Sequence, residues 1–451
     1  MKITIIGCGT IGRTILENVS QDGHNITIID NDYDRIERLI EKFDVYGIVG
    51  NGASMEIQNE ANVKSSDLVI TVTSSDEINI LACLVAKKLG AKNTIARVRN
   101  PEYRAQAFMM KEELGLSMIV NPEQESADEI FNIINLPSVN KIEQFAKGRA
   151  KLVEITLEEN NPLVGETLIS MNKKFNTSVL VCAIERNNDI LIPTGGDDFR
   201  VGDKIHFTSD SLSLNDFLTE LKLNKSPLKN IMIIGGGTVG YYLAKALSEK
   251  KYKVKIIEQK KARANELAEL LPKCTVVHGD GTNHDLLIEE GIEKMDAFIA
   301  LTNVDEENII VSLFADKLGI KKVFAHVKRE GLMTIIGNLS SINTFSPKDI
   351  AANKIISYIR AIVNKKGSNV LTLYRLVNNQ IEALEFLAKR KEKIYDQPLK
   401  DLTIKNNCLI ACIIRENEVI IPKGNDTIRQ NDSVLVVTKH KKFDDLMDIF
   451  E

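Results

Sequence analysis

The sequence contains no tryptophan, and aromatic residues make up only 5% of its 451 residues. This scarcity argues against single-stranded nucleic-acid binding, which uses aromatic side chains as stacking surfaces. Lysine plus arginine number 58 against 62 aspartate plus glutamate, so the formal net charge is -4. The basic excess of a general nucleic-acid binder is therefore missing as well, and we expect no nucleic-acid partner.

Cysteines are few and unpaired in sequence. The six form no Cys-x-x-Cys motif, which favours reduced thiols in a cytosolic protein. Long apolar runs are also lacking, since none approaches the ~20 residues that span a bilayer. The first residues enter an apolar strand without a signal peptide. We expect a cytoplasmic protein that does not insert into lipid and meets a membrane only through a protein partner.

The chain repeats itself once. Gly7-Cys8-Gly9-Thr10-Ile11-Gly12 recurs at a shift of 228 as Gly235-Gly236-Gly237-Thr238-Val239-Gly240. At a shift of 229, Asp67–Ile70 returns as Asp296–Ile299 and Asp189–Gly195 returns as Glu418–Gly424. A near-constant offset over such a distance predicts two copies of one unit of roughly 225 residues, here called copy one and copy two.

The first part of each copy alternates short β-branched runs with longer helical patterns. In copy one the strand candidates are Lys2–Ile6, Asn25–Ile29, Val45–Val49, Leu68–Val72 and Thr94–Val98. Helix candidates lie between them, near residues 11–21, 33–42, 54–61 and 76–89. Strict alternation of strand and helix predicts a parallel, doubly wound sheet.

The second part of each copy is strand-rich. Its strand candidates in copy one are Leu152–Leu157, Val179–Ile184, Ile190–Ile192 and Lys204–Thr208, with a hairpin turn at Asn187–Asp189. The expected fold is α/β: two doubly wound parallel-sheet domains, at residues 1–140 and 228–362, each followed by a small α+β domain, at residues 148–225 and 368–451. The expected linkers are residues 147–149, 224–227 and 365–368.

The repeated Gly-x-Gly-x-x-Gly follows an apolar strand and opens a helix, which is the context that dinucleotide binding requires. In this Rossmann-type interpretation Gly7 permits the tight turn, Gly9 lets the backbone approach a pyrophosphate, and Gly12 lets helix and strand pack closely. The helix N-terminus faces the anion. The same roles fall on the glycine loop of copy two.

An acid ends the second strand of each copy. Asp30 stands 18 residues after Gly12, and Glu258 stands 18 residues after Gly240. Such an acid can hold a ribose 2′-hydroxyl and repels the 2′-phosphate of NADP, so NAD(H) or another adenosine nucleotide is favoured. The alternative is a nucleotide-binding fold that has lost its ligand in one copy or in both.

Further candidates follow other strands and would line the same crevice. They are Asn51 and Gly52 after the third strand, Thr73 and Ser74 after the fourth, Arg97 in the fifth, and Asp280, Gly281 and Thr302 in copy two. Arg13 directly follows the glycine motif and could reach a phosphate, whereas its counterpart is Tyr241. The alternatives are ordinary turns and, for Arg13, a solvated surface arginine.

Catalytic signatures are not found. The six histidines share no position between the copies, and no cysteine or carboxylate pattern completes a zinc site around His278 and His284. We therefore expect no catalytic residue, no metal and no enzyme. Two alternatives stay open: an NAD-dependent dehydrogenase with duplicated nucleotide domains, and a free redox or nucleotide sensor with a partner unrelated to potassium.

The arrangement resembles the RCK (regulator of K⁺ conductance) family over nearly the whole chain. The resemblance is carried by Asp67–Thr73 leading into Asp76–Asn79, by Ile95–Tyr103, and by the endings Arg200–Asp203 and Arg429–Asp432. There are departures. Asn51 stands where the family usually has an acid, and His326–Arg329 replaces the Arg-Val-Arg-Asn run of copy one.

The resemblance implies a regulatory subunit that binds NAD(H) and also ATP or ADP. It implies a cytoplasmic protein, peripheral on the inner face of the cell membrane, that gates a Trk-type potassium uptake transporter. Gating would come from a ligand-driven rearrangement of the Rossmann domains. The family picture also implies a homodimer or homotetramer that packs through the helices after the fifth strands, about 103–114 and 331–337.

Overall fold

The computed structural model describes residues 1–136, 138–145, 149–175, 178–187, 189–223, 228–340, 342–365, 370–376, 381–389, 392, 394–416, 418–439, 443 and 445–451. Most of the three predicted linkers (147–148, 224–227 and 366–368) and the middle residue of the predicted hairpin turn, Asn188, lie outside these residues. The chain forms two compact units. The first is Met1–Phe131 with Leu228–Ile359, and the second is Asn132–Pro227 with Arg360–Glu451.

The first unit opens with a six-stranded parallel sheet, as the alternating pattern predicted. Its strands are β1 Lys2–Ile6, β2 Asn25–Asp30, β3 Tyr46–Val49, β4 Leu68–Thr71, β5 Asn93–Arg97 and β6 Met118–Val120. The strand order is β3-β2-β1-β4-β5-β6, with all pairs parallel. The sequence did not predict β6, because three residues are too few to show a period.

Six helices cover this sheet: α1 Thr10–Val19, α2 Tyr33–Lys42, α3 Met55–Glu60, α4 Asp76–Leu89, α5 Pro101–Met109 and α6 Pro122–Asn135. The longest two have 14 residues, and α4 shows the signals that bound a helix. Ser75 caps its N-terminus by accepting from the Ile78 N–H, and acids occupy its first turn. Gly90, with φ +119°, ends it in the left-handed conformation.

An antiparallel sheet follows in the second unit. Its strands are β7 Lys141–Phe145, β8 Ala150–Thr156, β9 Val179–Arg186, β10 Asp189–Leu191 and β11 Lys204–Ser209, in the order β10-β9-β11-β8-β7. Helices α7 Leu168–Lys174 and α8 Ser211–Glu220 accompany it. The sequence did not predict β7, since its polar residues break the alternation expected of a half-buried strand.

Copy two repeats the parallel sheet inside the first unit. Its strands are β12 Asn230–Ile234, β13 Lys253–Glu258, β14 Thr275–His278, β15 Ala297–Ala300, β16 Lys322–His326 and β17 Asn343–Phe345, in the order β14-β13-β12-β15-β16-β17. Its helices are α9 Thr238–Glu249, α10 Lys261–Leu270, α11 His284–Glu289, α12 Asp305–Lys317, α13 Glu330–Leu339 and α14 Pro347–Lys365. The two α/β domains are therefore equivalent element by element.

A second antiparallel sheet ends the chain. Its strands are β18 Val370–Leu376, β19 Ile381–Leu387, β20 Cys408–Arg415, β21 Glu418–Ile420 and β22 Ser433–Thr438, in the order β18-β19-β22-β20-β21. In its described part the helical elements are short 3-10 turns, at Leu399–Asp401 and Leu446–Ile449. The two antiparallel sheets share a buried apolar cluster that includes Cys182 and Cys412.

An arginine–aspartate ion pair recurs at the turn before the last strand of each small domain. Arg186 donates from Nε and Nη2 to the two carboxylate oxygens of Asp203 at 2.8 and 2.7 Å. Arg415 and Asp432 repeat the pair at 3.0 and 2.8 Å. This bidentate geometry is the strongest that an arginine and a carboxylate form, and it holds the turn before the last strand of each domain.

No helix in the described ranges combines the length and the apolar character that crossing a membrane requires.

Candidate functional site

The glycine loops have the steric demands that the motif predicts. Gly7 has φ +92°, and a Cβ there would lie 2.7 Å from the Thr73 backbone nitrogen. A Cβ on Gly12 would lie 2.0 Å from the Gly7 carbonyl oxygen, and one on Gly240 would lie 2.4 Å from that of Gly235. At Gly9, by contrast, a Cβ would meet no atom within 4 Å. The loop is therefore tightly packed at Gly7 and Gly12 and open at Gly9, where the chain's backbone could approach a pyrophosphate.

The helix that opens at this loop has an uncapped N-terminus. Gly9 precedes α1 and offers no side chain, and the first turn contains no acid. The equivalent α9 is also preceded by a glycine and lacks a first-turn acid. Elsewhere in copy one, Asp32 caps α2 and Ser75 caps α4. The N–H groups at the start of α1 and α9 therefore remain available, with the helix dipole, to an anion.

A cavity of about 900 Å³ lies over the carboxyl ends of the first parallel sheet. Its lining includes ten residues that the sequence predicted in copy one: Gly7, Gly9, Thr10, Ile11, Asp30, Asn51, Gly52, Thr73, Ser74 and Arg97. It also includes four predicted for the site of copy two, namely Gly237, Thr238, Val239 and Gly240. The sequence predicted one crevice in each copy, whereas here residues of both glycine loops face one cavity.

The other predicted residues lie elsewhere. Cys8 and Arg13 line an adjacent cleft of about 920 Å³, and Gly12 lies beneath the loop. Six residues line neither of these two cavities: Gly235, Gly236, Glu258, Asp280, Gly281 and Thr302. Arg13 is exposed and donates from Nε to Glu17 Oε1 at 3.0 Å. Burial, together with the nearby Asp30 carboxylate, raises the pKa of the Cys8 thiol to about 12, so this thiol stays protonated at neutral pH.

Asp30, the predicted ribose acid, is buried and fully engaged within the chain. Its carboxylate accepts from the Cys8 N–H at 2.6 Å and from the Asp32 N–H at 3.0 Å. Arg35 also donates from Nη1 to both oxygens, at 2.9 and 3.0 Å. Ribose hydroxyls could reach this carboxylate only by sharing it with Arg35. Arg35 is not among the residues predicted from the sequence. The repeat carried a signal for it, since Arg263 stands at the same distance after Glu258.

In copy two, the acid and the nearby arginine are arranged differently. Glu258 accepts from the Gly236 N–H at 2.7 Å and from the Lys260 N–H at 2.8 Å. Arg263 instead donates to the Gly236 carbonyl oxygen at 2.8 Å and pairs with Glu266. Both acids therefore accept from equivalent backbone N–H groups, and the copies differ in the arginine, which bonds to the acid in copy one and to the glycine loop in copy two.

A buried asparagine holds the strand ends together in each copy. Asn79 accepts from the Thr73 N–H at 2.8 Å and donates to the Arg97 carbonyl oxygen at 2.9 Å. Asn308 makes the equivalent bonds to Thr302 and His326, both at 2.8 Å. The family-like Asp-Glu-Ile-Asn run therefore positions the loop after the fourth strand against the end of the fifth.

Within the part of the chain that the structure describes, three buried polar atoms of residues lining the cavity have no hydrogen-bond partner: Arg97 Nε, Glu123 Oε2 and Ser346 Oγ. Arg97 Nη2 lies 3.6 Å from Glu123 Oε1, which is an ion pair without a hydrogen bond. Burial lowers the pKa of Arg97, so the folded protein holds this charge at a cost. Buried groups of this kind are usually completed by a water molecule, an ion or a ligand.

The sequence missed Glu123 and Ser346. Each stands where its copy turns from the sixth strand into the long helix that follows, in a segment with no motif of its own. Only the fold brings them to the glycine loop. Near the cavity the two copies also touch directly, since Tyr242 donates to the Arg99 carbonyl oxygen at 3.0 Å and accepts from Asn121 Nδ2 at 3.1 Å.

Comparison with known families decides the assignment. The TrkA-N domain model matches residues 3–122 and 231–347, and the TrkA-C domain model matches residues 152–222 and 384–451. The chain belongs to the TrkA family. Its tandem organisation is thus confirmed, with a TrkA-N and a TrkA-C match in each copy.

Full-length relatives agree. The chain is 32% identical to the Trk system potassium uptake protein TrkA homolog 2 of Methanosarcina mazei, over 97% of each chain. It is 32% identical to TrkA of Vibrio alginolyticus, covering 98% of this chain and 97% of that one. It is 31% identical to TrkA of Haemophilus influenzae, covering 98% and 96%.

Solved structures share the fold. The GsuK channel superposes with a TM-score of 0.65 at 17% identity, covering 97% of this chain and 76% of that one. The GsuK channel bound to NAD gives a TM-score of 0.63 at 16% identity over the same shares. The GsuK RCK domain also superposes, with a TM-score of 0.63 at 16% identity, so the expected α/β fold class is confirmed.

Proposed function

We propose that this chain is a regulatory subunit that binds NAD(H) or an adenine nucleotide in the cavity over the first parallel sheet and gates a Trk-type potassium uptake transporter. It works without catalysing a reaction, as a homodimer or homotetramer on the cytoplasmic face of the membrane. Family membership supports the link to potassium uptake. A structural neighbour solved with NAD and with ADP supports a nucleotide as the ligand.

One observation carries the proposal: a cavity that combines an uncapped helix N-terminus, an open glycine and unpartnered buried polar atoms. These groups fit a nucleotide. The N–H groups at Thr10 and Ile11 would hold the phosphates, and Asp30 would hold the ribose hydroxyls as Arg35 yields part of its contact. Arg97 would place its guanidinium against the remaining polar groups of the ligand.

Coupling to the transporter follows from the shared lining. A ligand can bias a gate only by binding one arrangement of the two α/β domains better than another. Groups from both copies surround the cavity, including Thr238, His326 and Lys348 from copy two. A nucleotide held by copy one would therefore contact copy two directly, and its presence would favour one relative position of the two domains.

Binding itself is tested by Gly9→Ala. The added methyl group would meet no atom of the described residues within 4 Å, but it would occupy the space where a pyrophosphate would approach. We expect the folded stability to be unchanged and the affinity for NADH to fall at least about tenfold, measured by calorimetry and by NADH fluorescence, which has no tryptophan background here. Gly196→Ala, also in open space, is the matched control in the second unit.

Gating is tested in vesicles that contain a Trk-type transport subunit. Potassium flux should respond to nucleotide when the wild-type chain is added, and the response should be lost with Gly9→Ala. Turnover of nicotinamide with any member of a panel of alcohols and hydroxy acids would instead support the dehydrogenase. Nucleotide binding without any association with the transport subunit would favour a free sensor.

Self-association is expected through the helices after the fifth strands, α5 and α13, which expose Phe108, Met109 and Ile335. The helices after the fourth strands, α4 and α12, also expose large apolar side chains, namely Leu81, Ile310 and Leu313. A surface that recurs in both halves of a duplicated chain suits a symmetric ring. Light scattering should give a dimer or tetramer, and a monomer would contradict this assembly.

A further inference from the structure

A second apolar surface occurs in copy one alone. Five large apolar side chains, each 41% to 62% exposed, lie between residues 33 and 55: Tyr33, Ile40, Tyr46, Val49 and Met55. They belong to α2, β3 and α3, and we call them the edge surface. Strand β3 is the outermost strand of its sheet, and within the described chain its outer side pairs with no other strand.

The edge surface extends over both faces of one sheet edge. A Cβ on Gly47 would lie 2.7 Å from Ile40 Cδ1, so Ile40 packs directly over β3. Val49 points to the same side as Gly47, whereas Tyr46 points to the opposite side, because successive side chains of a strand alternate between the two faces. A Cβ on Gly50 would lie 2.6 Å from Ile57 Cδ1, so α3 packs against the end of the same strand. The two helices and the strand thus present their apolar side chains around one sheet edge.

Acids frame this surface. The same three elements and the turn before β3 carry six exposed carboxylates, none of which forms an ion pair within the described chain: Asp34, Glu37, Glu41, Asp44, Glu56 and Glu60. Two exposed bases, Arg38 and Lys42, stand against them, and Lys42 already pairs with Glu17 at 3.1 Å. The elements that carry the edge surface therefore expose more carboxylates than bases.

Copy two provides an internal comparison. The equivalent positions are also exposed, but they hold Lys261, Ala268, Thr275, His278 and His284. Copy two does expose Leu270 and Ile288 nearby, each as the only exposed large apolar side chain of its helix. The helix surfaces expected to drive self-association recur in both copies, whereas the edge surface does not. An unrepeated surface suits a contact that only copy one makes.

We propose that the edge surface of copy one docks a basic segment on the cytoplasmic side of the transport protein. The inference rests on the proposed function, which supplies a membrane partner. Cytoplasmic loops of membrane proteins carry an excess of lysine and arginine, and those charges complement the six carboxylates around the edge surface. The same carboxylates are repelled by the anionic lipids of the cytoplasmic leaflet, so the bilayer itself is not the occupant.

The test transfers the surface of copy two into copy one. The triple variant Tyr33→Lys, Tyr46→Thr, Met55→His uses residues that the same fold already tolerates at the equivalent positions. Its affinity for a detergent-solubilised Trk-type transport subunit is measured by surface plasmon resonance with the full chain. We expect at least tenfold weaker binding, and wild-type binding that weakens as salt rises. The oligomeric state and NADH affinity should match the wild type. Ile169→Ser with Val201→Ser, which removes equally exposed apolar groups in the second unit, should leave all readouts unchanged.

Three results would overturn the inference, and the third would also overturn the proposed function. If the wild type binds the transport subunit and the triple variant binds it equally well, the edge surface is not the docking site. If the triple variant instead dissociates the oligomer, the surface is an interface between copies of this chain. If the wild type itself fails to bind the transport subunit, the proposed function fails, and the docking inference that rests on it fails with it.

Discussion

The ion pair between Arg97 and Glu123 should stabilise the ligand complex at the expense of the unliganded fold. Both side chains are largely buried, at 16% and 18% exposure, and their nearest atoms are 3.6 Å apart. Their attraction is about 4 kcal/mol at the effective dielectric of a protein site. Removing two charges from water costs several kcal/mol for each ion. The unpartnered Arg97 Nε and Glu123 Oε2 add to that cost, so the pair is at best neutral for folding.

We therefore expect Arg97→Met combined with Glu123→Leu to stabilise the unliganded chain by about 1 to 2 kcal/mol, because apolar groups of similar volume often replace a poorly bonded buried pair with a gain. For a unit of this size that gain corresponds to a rise of a few degrees in the unfolding midpoint. Arg97→Met alone should destabilise the chain, since it leaves a buried carboxylate without its counter-charge.

Thermal unfolding with and without NADH or ADP is the assay. In the wild type, ligand at 100 times its Kd adds about 2.7 kcal/mol. The double variant should lose most of this increment. Lys255→Met with Glu290→Leu is the matched control, because that pair lies outside the cavity and is hydrogen-bonded at 2.7 Å. The reasoning is refuted if the double variant unfolds earlier than the wild type without ligand, or if it keeps the full ligand increment.

Three further predictions concern the framework of the chain. Gly12→Ala should lower stability by about 3 kcal/mol, because the helix must retreat from a carbonyl oxygen 2.0 Å away; an unchanged unfolding midpoint would contradict this. Asp203→Ala should destabilise its sheet by about 3 kcal/mol, because it leaves the largely buried Arg186 without its carboxylate partner. Hydrogen exchange in β9 and β11 should accelerate about a hundredfold while the sheet of Asp432 keeps its rate, and equal acceleration of both sheets would show that the effect is not local. Burial raises the pKa of all six thiols, so their alkylation at pH 8 should be slow. The half-buried Cys274 and Cys408 should be modified first. Mass spectrometry that found a buried thiol labelled earlier would argue against this packing.

The duplication and the parallel sheets could be predicted from sequence because both are written in local patterns. The Gly-x-Gly-x-x-Gly loops, the acids Asp30 and Glu258, and alternating apolar runs each depend on residues close together in the chain. Strands β6 and β7 could not be predicted, because they lack such a local pattern. Three residues show no period, and polar residues on an edge strand hide the alternation.

The sequence by itself determined which loop opens a helix without a side-chain cap, because the steric demands at Gly7 and Gly12 and the missing cap on α1 are properties of a few adjacent residues. Only the tertiary structure decided what stands opposite that loop. Glu123, Ser346 and the glycine loop of copy two all reach the cavity from distant segments. Their positions follow from how two α/β domains pack inside one unit, and no spacing along the chain records that packing.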